Sequence, residues 1–364
     1  MGSKPGAIQR VDDWRSSHWD MLIDVRAPVE FQEDHIPSAI NLPVLDDSER
    51  SEIGTLYKQV SPFAARVRGA SLVSANIAKH LQKELAEKSG SWRPLIYCAR
   101  GGQRSGSFAS VLSEVGWRVG VLKGGYKTFR QKVLHELDQS PPLHRFMVMQ
   151  GQTGTGKTRL LREMARQGAQ VLDLEGLAQH RGSLLGSEPG KSQPTQRYFE
   201  SSLHLAIQGF EPDRPIFVEA ESSKVGQLHI PRTIWSQMMA AERIEVRASS
   251  EARIDYLLED YEHLVANPDL LSPLLEGRFE RYGREVVKHW HTLAGAGDWR
   301  SLVKEFLDHH YDPAYLRTAK RRTMKPKHIF HLENMREDRI QSTAQEIIET
   351  SLNIAAGTNA PALR

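Results

Sequence analysis

The chain has 364 residues, which is long enough for two or three domains that each bury their own hydrophobic core. Its 39% hydrophobic and 26% charged residues are typical of a globular protein, and no apolar run of about 18 residues predicts a membrane span. The net charge of +3 permits a polyanionic partner without requiring one. A single cysteine excludes an intramolecular disulfide framework, so we expect a cytoplasmic protein with no membrane partner.

Short apolar segments alternate with a helical pattern over residues 1–135. Strands are predicted at Met21–Arg26, Leu95–Tyr97 and Trp117–Leu122, and apolar residues recur at helical spacing from Ser71 to Glu84. This alternation predicts a parallel α/β sheet. Functional sites of such sheets form at the carboxyl ends of the strands.

The only cysteine, Cys98, stands at the carboxyl end of one predicted strand. Arg100, Gly101, Gly102 and Arg104 follow it, before a segment with a helical pattern, and this loop is poor material for a hydrophobic core. Backbone N–H groups, a helix N-terminus and two guanidinium groups all favour the thiolate, which is the nucleophilic form. We therefore expect a reactive thiol. The alternative is a buried cysteine that acts only as a small hydrophobic residue.

Four segments of this region, in this order, resemble the rhodanese family. They are Asp24-Val25-Arg26 with Glu30-Phe31, His35-Ile36-Pro37 with Asn41-Leu42-Pro43, Cys98 to Ser105, and Leu122 with Gly124-Gly125. The resemblance implies that Cys98 is catalytic, within a loop formed by Arg100, Gly101, Gly102 and Arg104. It also implies that Cys98 carries sulfur or selenium as a persulfide or perselenide, whose terminal anion a ring of N–H groups would stabilise.

A phosphate-binding motif opens a second predicted domain, residues 146–250, after a predicted linker at 136–145. Arg145–Gln150 is predicted as a strand, and the next eight residues match the full Gly-x-x-x-x-Gly-Lys-Thr pattern. The matching residues are Gly151, Gly156, Lys157 and Thr158, with Gly154 between them. The glycines allow backbone N–H groups to surround a diphosphate, Lys157 neutralises its charge, and Thr158 is the usual Mg²⁺ ligand. We therefore predict a diphosphate site.

Glutamates end the apolar strand Pro215–Val218, where proteins with this motif usually carry a metal-binding aspartate. The residues here are Glu219 and Glu221. A longer carboxylate can hold the metal, activate a water or bind a basic side chain. We include both residues in the diphosphate site, and their identity argues against robust nucleotide hydrolysis.

Two polar segments predict an acceptor-binding region, and the second of them, residues 193–200, has the composition of a lid or substrate loop. The candidate residues are Asp173, Glu175, His180, Arg181 and Arg197. The alternative for Arg181 and Arg197 is a salt bridge at the surface.

The C-terminal region, residues 251–364, shows helical spacing in five segments, and we expect it to pack on the phosphate-binding domain. It contains a dense basic cluster formed by Lys320, Arg321, Arg322, Lys325 and Lys327. We interpret this cluster as a contact to a nucleic-acid backbone, with a solvated surface as the alternative.

A thiol loop and a phosphate loop in one chain resemble the tRNA 2-selenouridine synthase family over nearly the whole length. Further matching segments are Gly54-Thr55-x-Tyr57-Lys58, residues 173–183, Glu219-Ala220-Glu221-Ser222 and His310-Tyr311-Asp312-Pro313. The resemblance implies an α/β enzyme with a rhodanese-like domain, a P-loop NTPase-like domain and a helical C-terminal region.

The same resemblance implies the reaction, which replaces sulfur by selenium in the wobble 2-thiouridine of tRNA. Geranyl diphosphate would alkylate the sulfur and selenophosphate would donate the selenium, with no tightly bound cofactor. A selenophosphate synthetase is the implied partner. Three alternatives stay open: a rhodanese-regulated P-loop kinase or ATPase, a tRNA sulfurtransferase, and a non-catalytic tRNA-binding adaptor in which Cys98 is dispensable.

Overall fold

The computed structural model describes residues 8–15, 18–138, 144–182, 192–271, 273, 275, 279, 282–320 and 325–355, without the side chains of 318–320 and 353–355. The chain forms two compact units. The first contains Met1–Leu137 and Thr195–Leu205, and the second contains Asp138–Pro194 and Ala206–Arg364. Among the described residues, no helix is both long and apolar enough to cross a membrane.

The first unit is built on a five-stranded parallel sheet of order β1-β5-β4-β2-β3. Its strands are β1 (Ile8–Val11), β2 (Met21–Asp24), β3 (Ile40–Asn41), β4 (Pro94–Tyr97) and β5 (Val119–Leu122). All residues of β4 and β5 are buried, as expected of central strands covered on both faces. The sheet therefore places Cys98 at the carboxyl end of a central strand.

Helices cover this sheet. They are α1 (Pro28–Glu33), α2 (Asp47–Gln59), α3 (Pro62–Gln82), α4 (Gln103–Val115) and α5 (Gly125–Asp138). The core joins apolar residues of the strands to those of α3 and α4, among them Ile23, Ile96, Ile77, Phe108 and Leu112. Because α5 continues to Asp138, helical structure extends into the segment predicted as a linker.

The second unit contains another five-stranded parallel sheet, of order β12-β11-β6-β8-β7. Its strands are β6 (Phe146–Gln150), β7 (Gln170–Leu172), β8 (Ile216–Glu219), β11 (Glu242–Ala248) and β12 (His328–Leu332). A short antiparallel pair, β9 (Lys224–Val225) and β10 (Leu228–His229), lies outside it. The carboxyl ends of β6 and β8 lead into the phosphate motif and the glutamates, so the fold places both at one edge.

Helices of the second unit are distributed from the phosphate motif to the C-terminal region. They are α6 (Lys157–Arg166), α7 (Leu174–Ala178), α9 (Arg232–Ala240), α10 (Ser250–Asp260), α11 (Glu262–Ala266), α12 (Arg284–Gly295), α13 (Trp299–Phe306), α14 (Asp312–Lys320) and α15 (Glu337–Ala355). Another helix, α8 (Gln196–Gln208), begins among the residues of the first unit. A π-helical turn, Leu307–Tyr311, joins α13 to α14, so the His310-Tyr311-Asp312 segment lies within a helical stretch.

The C-terminal region is not only helical. Residues 328–332 form β12, which pairs with β11 in parallel and completes the sheet, and α15 packs against α6. Phe330 and Leu332 of β12 are buried in the same core as Met149 and Leu160. The prediction missed this strand because its five residues include two histidines, and its three apolar residues follow neither the strand nor the helix spacing.

We expect Phe330→Ala to destabilise the second unit by about 3–5 kcal/mol, because the ring is 6% exposed in the core. Ile329→Ala is the matched control, since this neighbour is 43% exposed and should cost about 0.5 kcal/mol. Urea unfolding followed by tryptophan fluorescence measures both values. Equal losses in the two variants would contradict the placement of β12.

Candidate active sites: a buried thiol loop and a phosphate-binding loop

The thiol of Cys98 lies at the start of the loop between β4 and α4. The hydroxyl of Ser105 is 3.2 Å from Cys98 Sγ, and the backbone N–H of Gly102 donates to Sγ at 3.3 Å. Cys98 is 4% exposed. The sulfur is therefore surrounded by donors at the N-terminus of α4, where N–H groups have no partner within the helix.

These donors decide the charge state of the thiol. Burial raises the pKa of Cys98, but hydrogen bonds from Ser105 and from the backbone N–H groups of Arg100 and Gly102 outweigh it. The pKa of the thiol is consequently below its usual value, which increases the thiolate fraction at neutral pH. Ser105 was not among the predicted site residues, although a hydroxyl seven residues after the cysteine, in the first turn of the following helix, is a visible signal.

Two glycine-containing turns, at Gly101 and Gly125, pack closely against each other and hold this loop. Gly101 has a φ of +63°, and a Cβ there would lie 2.6 Å from the carbonyl oxygen of Leu122. Gly125 has a φ of +57°, and its Cβ would lie 2.1 Å from the carbonyl oxygen of Cys98. The backbone N–H of Tyr126 donates to that same oxygen at 2.9 Å. Larger residues at these glycines would push the two turns apart and displace the sulfur.

The guanidinium groups do not act on the sulfur as expected. Arg104 Nη1 donates to Glu30 Oε2 at 2.8 Å, and Arg50 Nε donates to the same oxygen at 2.7 Å. Burial opposes ionisation of Glu30, yet these two partners lower its pKa to about 2. Arg100 is exposed and contributes its backbone N–H. Arg104 thus ties α4 to Glu30 of α1, while hydrogen bonds stabilise the thiolate.

Arg197 belongs to the first unit, whereas the other predicted acceptor residues belong to the second. Its side chain is 54% exposed and pairs with Glu33 at 2.9 Å. The segment predicted as a lid is also helical from Gln196 onward. The alternative for Arg197, a surface salt bridge, therefore describes it.

We expect the alkylation rate of Cys98 by iodoacetamide to rise with pH to a midpoint below that of a free cysteine, because the folded-state pKa is lowered. Ser105→Ala should move this midpoint up by about one pH unit, since a charge-assisted hydrogen bond is lost. The control is Ser110→Ala, whose hydroxyl donates to the Gly106 carbonyl on the same helix at 3.0 Å. Identical midpoints in both variants would exclude a role for Ser105.

The phosphate loop of the second unit connects β6 to α6. Gly154 and Gly156 have φ values of +83° and +72°, a conformation that favours glycine. A Cβ on Gly151 would lie 2.4 Å from the Val246 carbonyl oxygen, so close packing also requires glycine there. Lys157 Nζ donates to the Gln152 carbonyl oxygen at 3.2 Å. The ammonium group is thereby held against the loop whose N–H groups would receive a diphosphate.

Three carboxylates and one hydroxyl meet beside this loop. The hydroxyl of Thr158 lies 2.6 Å from Glu219 Oε1 and 3.2 Å from Glu175 Oε2. One carboxylate oxygen from each of Glu175, Glu219 and Glu221 lies within 4.8 Å of the other two. Sequence spacing does not bring Glu175 to this cluster; the parallel pairing of β7 with β8 does.

The cluster does not carry three full negative charges. Burial first, and then the charges of Glu219 and Glu221, raise the pKa of Glu175 to about 9. Burial and the charge of Glu219 raise the pKa of Glu221 to about 7. Glu175 is consequently protonated at neutral pH, and Lys157 faces fewer negative charges than the composition suggests.

The donor set fits a magnesium ion. Hydroxyl and carboxylate oxygens are the ligands that Mg²⁺ prefers, and Thr158, Glu219, Glu175 and Glu221 supply only such atoms. When bound, the ion would neutralise part of the charge of a diphosphate. Its presence would also lower the pKa of the surrounding carboxyls, which are raised by mutual repulsion.

A cavity of about 820 Å³ opens over the phosphate loop and the carboxylates. Its wall includes His180, Arg181 and Arg243 as well as several apolar side chains. Arg181 Nη1 donates to Asp260 Oδ2 at 2.9 Å, and its guanidinium lies 5.0 Å from the Tyr261 ring. The cavity is large enough for a diphosphate together with an organic group.

Comparisons with known proteins agree with this pairing of sites. The rhodanese-like domain family matches residues 8–132, and the family described as tRNA 2-selenouridine synthase AAA domain matches residues 144–269. A protein named tRNA 2-selenouridine synthase from Shewanella sediminis is 36% identical over 329 residues, which cover 81% of this chain and 86% of that protein. The chain belongs to the tRNA 2-selenouridine synthase family.

Other relatives carry the same name. The protein of that name from Shewanella denitrificans is 35% identical to this chain over 333 residues. The alignment covers 81% of this chain and 87% of the relative. The protein of that name from Nitrosomonas europaea is 37% identical over 244 residues, which are 66% of this chain. The chain spans 63% of the length of that relative. The rhodanese resemblance and the α/β architecture with a P-loop domain are confirmed.

Among the remaining acceptor candidates of this family member, Asp173 and His180 have structural partners. Asp173 caps α7 and accepts the backbone N–H of Gly176 at 2.7 Å. His180 is 8% exposed, and its Nδ1 accepts the N–H of Gly182 at 3.1 Å. These contacts position α7, and α7 carries Glu175 into the carboxylate cluster.

An arginine that the sequence analysis missed holds the phosphate loop. Arg253 of α10 makes two hydrogen bonds to the carboxylate of Asp312, at 2.6 and 2.9 Å, and its Nε donates to the Thr153 carbonyl at 2.8 Å. Asp312 belongs to the His310-Tyr311-Asp312-Pro313 segment, on which part of the family resemblance was based. The signal in the sequence was therefore Asp312, and only the fold identifies Arg253 as its partner.

The basic cluster is only partly within the described residues. Arg321 and Arg322 lie outside them, and for Lys320 the structure describes only the backbone at the end of α14. Lys325 is exposed, and Lys327 pairs with Glu242. Of this cluster, the side chain of Lys325 therefore stays available for a phosphate contact, and that of Lys327 is engaged in an ion pair.

Proposed function

We propose that this chain is a transferase that replaces sulfur by selenium in the wobble 2-thiouridine of tRNA, in two chemical steps. The observation that supports this proposal is the presence of two sites in one chain. One is the thiol of Cys98 with its hydrogen-bond donors, and the other is a phosphate loop beside three glutamates. The names of the relatives identify tRNA and selenouridine for those proteins. The two sites supply a chemical reason for each half of the exchange.

In the first step the phosphate loop holds geranyl diphosphate. The sulfur at C2 attacks the first carbon of the geranyl group, a C–S bond forms, and the C–O bond to diphosphate breaks, with the N3 proton passing to water. N–H groups of the loop and Lys157 stabilise the charge that develops on the leaving diphosphate. A Mg²⁺ ion at Thr158 would share this charge. Alkylation converts a poor leaving group, the thione sulfur, into a good one.

In the second step Cys98 delivers selenium as a perselenide. Its terminal selenium attacks C2, a C–Se bond forms, and geranylthiolate leaves. An external thiol then cleaves the Se–S bond and releases the 2-selenouridine, leaving a mixed disulfide on Cys98. Selenium from selenophosphate attacks that disulfide at the Cys98 sulfur, expels the external thiol, and loses its phosphate to water. The cycle is redox-neutral, as a chain with one cysteine requires.

The N–H groups around Cys98 would stabilise the anions of this cycle, because each of them carries negative charge near the Cys98 sulfur. Gly102 and the other donors follow Cys98 and Ala99, whose carbonyls accept the N–H groups of Tyr126 and Lys127, so the loop is held in place before charge develops. A selenophosphate synthetase would supply the selenium donor. The basic residues Lys320, Arg321, Arg322 and Lys325 are proposed to contact the tRNA backbone, which predicts a salt-dependent affinity.

Replacing Cys98 by alanine should reduce selenation by more than about 10³-fold, because it removes the nucleophile that bears selenium. Geranylation of the same tRNA should continue, since the phosphate loop is unchanged. Mass analysis of the wobble nucleoside after reaction with geranyl diphosphate and selenophosphate separates the thio, geranylthio and seleno forms. Loss of both products from a folded variant would contradict this division of labour.

Replacing Lys157 by alanine should slow geranylation by about 10²–10³-fold, because one donor to the leaving diphosphate is lost. Tritium transfer from labelled geranyl diphosphate to thiolated tRNA measures the rate. Lys304→Ala, which removes an exposed lysine paired with Asp308, is the control and should match the wild type. Normal geranylation by Lys157→Ala, or substantial ATP turnover by the wild type, would favour the kinase alternative.

A further inference from the structure

A second, smaller cavity lies in the helical part of the second unit. It has a volume of about 50 Å³ and is lined by residues of α10, α11, α13 and the π-helical turn. Buried leucines form much of its lining, among them Leu257, Leu264 and Leu302, with Phe306 beside them. No residue that lines it carries a charged side chain.

This cavity adjoins the phosphate-binding cavity. Thr153 of the phosphate loop and Leu257, Tyr261 and Tyr311 line both spaces. Arg253 fixes this junction, because it joins the Thr153 carbonyl to Asp312, the residue after Tyr311. The two cavities therefore share part of their walls next to the phosphate loop.

We propose that this cavity receives the hydrocarbon tail of the allylic diphosphate and sets the accepted chain length. The inference rests on the proposed function, and it deepens it by assigning the second half of the ligand. The diphosphate lies on the phosphate loop, the first isoprene unit lies in the larger cavity beside Tyr261 and Tyr311, and the second enters the apolar space.

The lining selects a hydrocarbon against a nucleoside. A purine base in this space would leave its ring nitrogens and amino group without partners, which is costly away from water. An isoprene unit loses no hydrogen bonds there, and the burial of its apolar surface away from water is favourable. The lining thus distinguishes a prenyl diphosphate from ATP or GTP, although the phosphate loop binds the diphosphate part of each.

The volume agrees with one isoprene unit. A cavity needs about 10–15 Å³ to hold one water-sized group, so 50 Å³ accommodates roughly four, close to the five carbons of one isoprene unit and well below the ten of two. A ten-carbon tail has one such unit beyond the one next to the diphosphate, whereas a fifteen-carbon tail has two. Val303 and Trp299 of α13 form part of the wall, and their sizes limit what can enter.

Val303→Phe tests the assignment by filling the cavity. We expect the dissociation constant of geranyl diphosphate, measured by titration calorimetry without tRNA, to rise about tenfold. The constants of inorganic pyrophosphate and of five-carbon dimethylallyl diphosphate should change less than about twofold, because neither reaches the cavity. Val286→Phe is the matched control, since this valine of α12 is 37% exposed and does not line the cavity.

Trp299→Ala tests it in the opposite direction and covers the case in which Val303→Phe fails to fold. Enlarging the cavity should strengthen binding of fifteen-carbon farnesyl diphosphate about tenfold relative to geranyl diphosphate. Thermal unfolding of each variant shows that the compared proteins are folded. An unchanged ratio in Trp299→Ala, or an equal loss for five- and ten-carbon ligands in Val303→Phe, would overturn the assignment.

The wild-type protein separates failure of this inference from failure of the proposed function. Binding of geranyl diphosphate that is tighter than that of pyrophosphate, with no response to either variant, would reject the cavity alone. Binding of ATP in preference to geranyl diphosphate would reject both.

Discussion

Both candidate sites depend on one constraint, the N–H groups without a partner in the helix, at the start of a helix that closely follows a buried parallel strand. In the first unit they surround the sulfur of Cys98, between β4 and α4. In the second they form the phosphate loop between β6 and α6. Such N–H groups stabilise negative charge, a thiolate in one case and a leaving diphosphate in the other. The exchange chemistry we propose requires both kinds of stabilisation.

Charged residues hold these loops in position. Arg104 pairs with Glu30 and thereby joins α4 to α1. Arg253, which is 3% exposed, joins the phosphate loop to Asp312. In both units a bidentate or shared ion pair fixes a loop whose function comes from its backbone. Geometry held in this way needs no reorganisation when charge develops, which is the main source of electrostatic catalysis.

The carboxylate cluster illustrates how burial changes a site that composition describes poorly. Glu175, Glu219 and Glu221 would repel one another and any diphosphate if all were ionised. Burial and mutual repulsion keep Glu175 protonated at neutral pH, with its pKa at about 9. A bound cation or the ammonium of Lys157 can offset the remaining charge. The cluster is therefore compatible with a diphosphate ligand in a way that three glutamates in sequence do not reveal.

The sequence by itself determined the strands that precede Cys98 and Gly151, the glycines that both loops need, and the identity of the two α/β domains. These features are local, because a strand, a tight turn and a helix start lie within about a dozen residues and each has its own residue preferences. The tertiary structure decided everything that depends on distant residues meeting. It placed β12 in a sheet, brought Glu175 to Glu219, paired Arg253 with Asp312, and put Arg197 in the first unit. Such contacts arise from strand order and helix packing, which no local pattern of residues specifies.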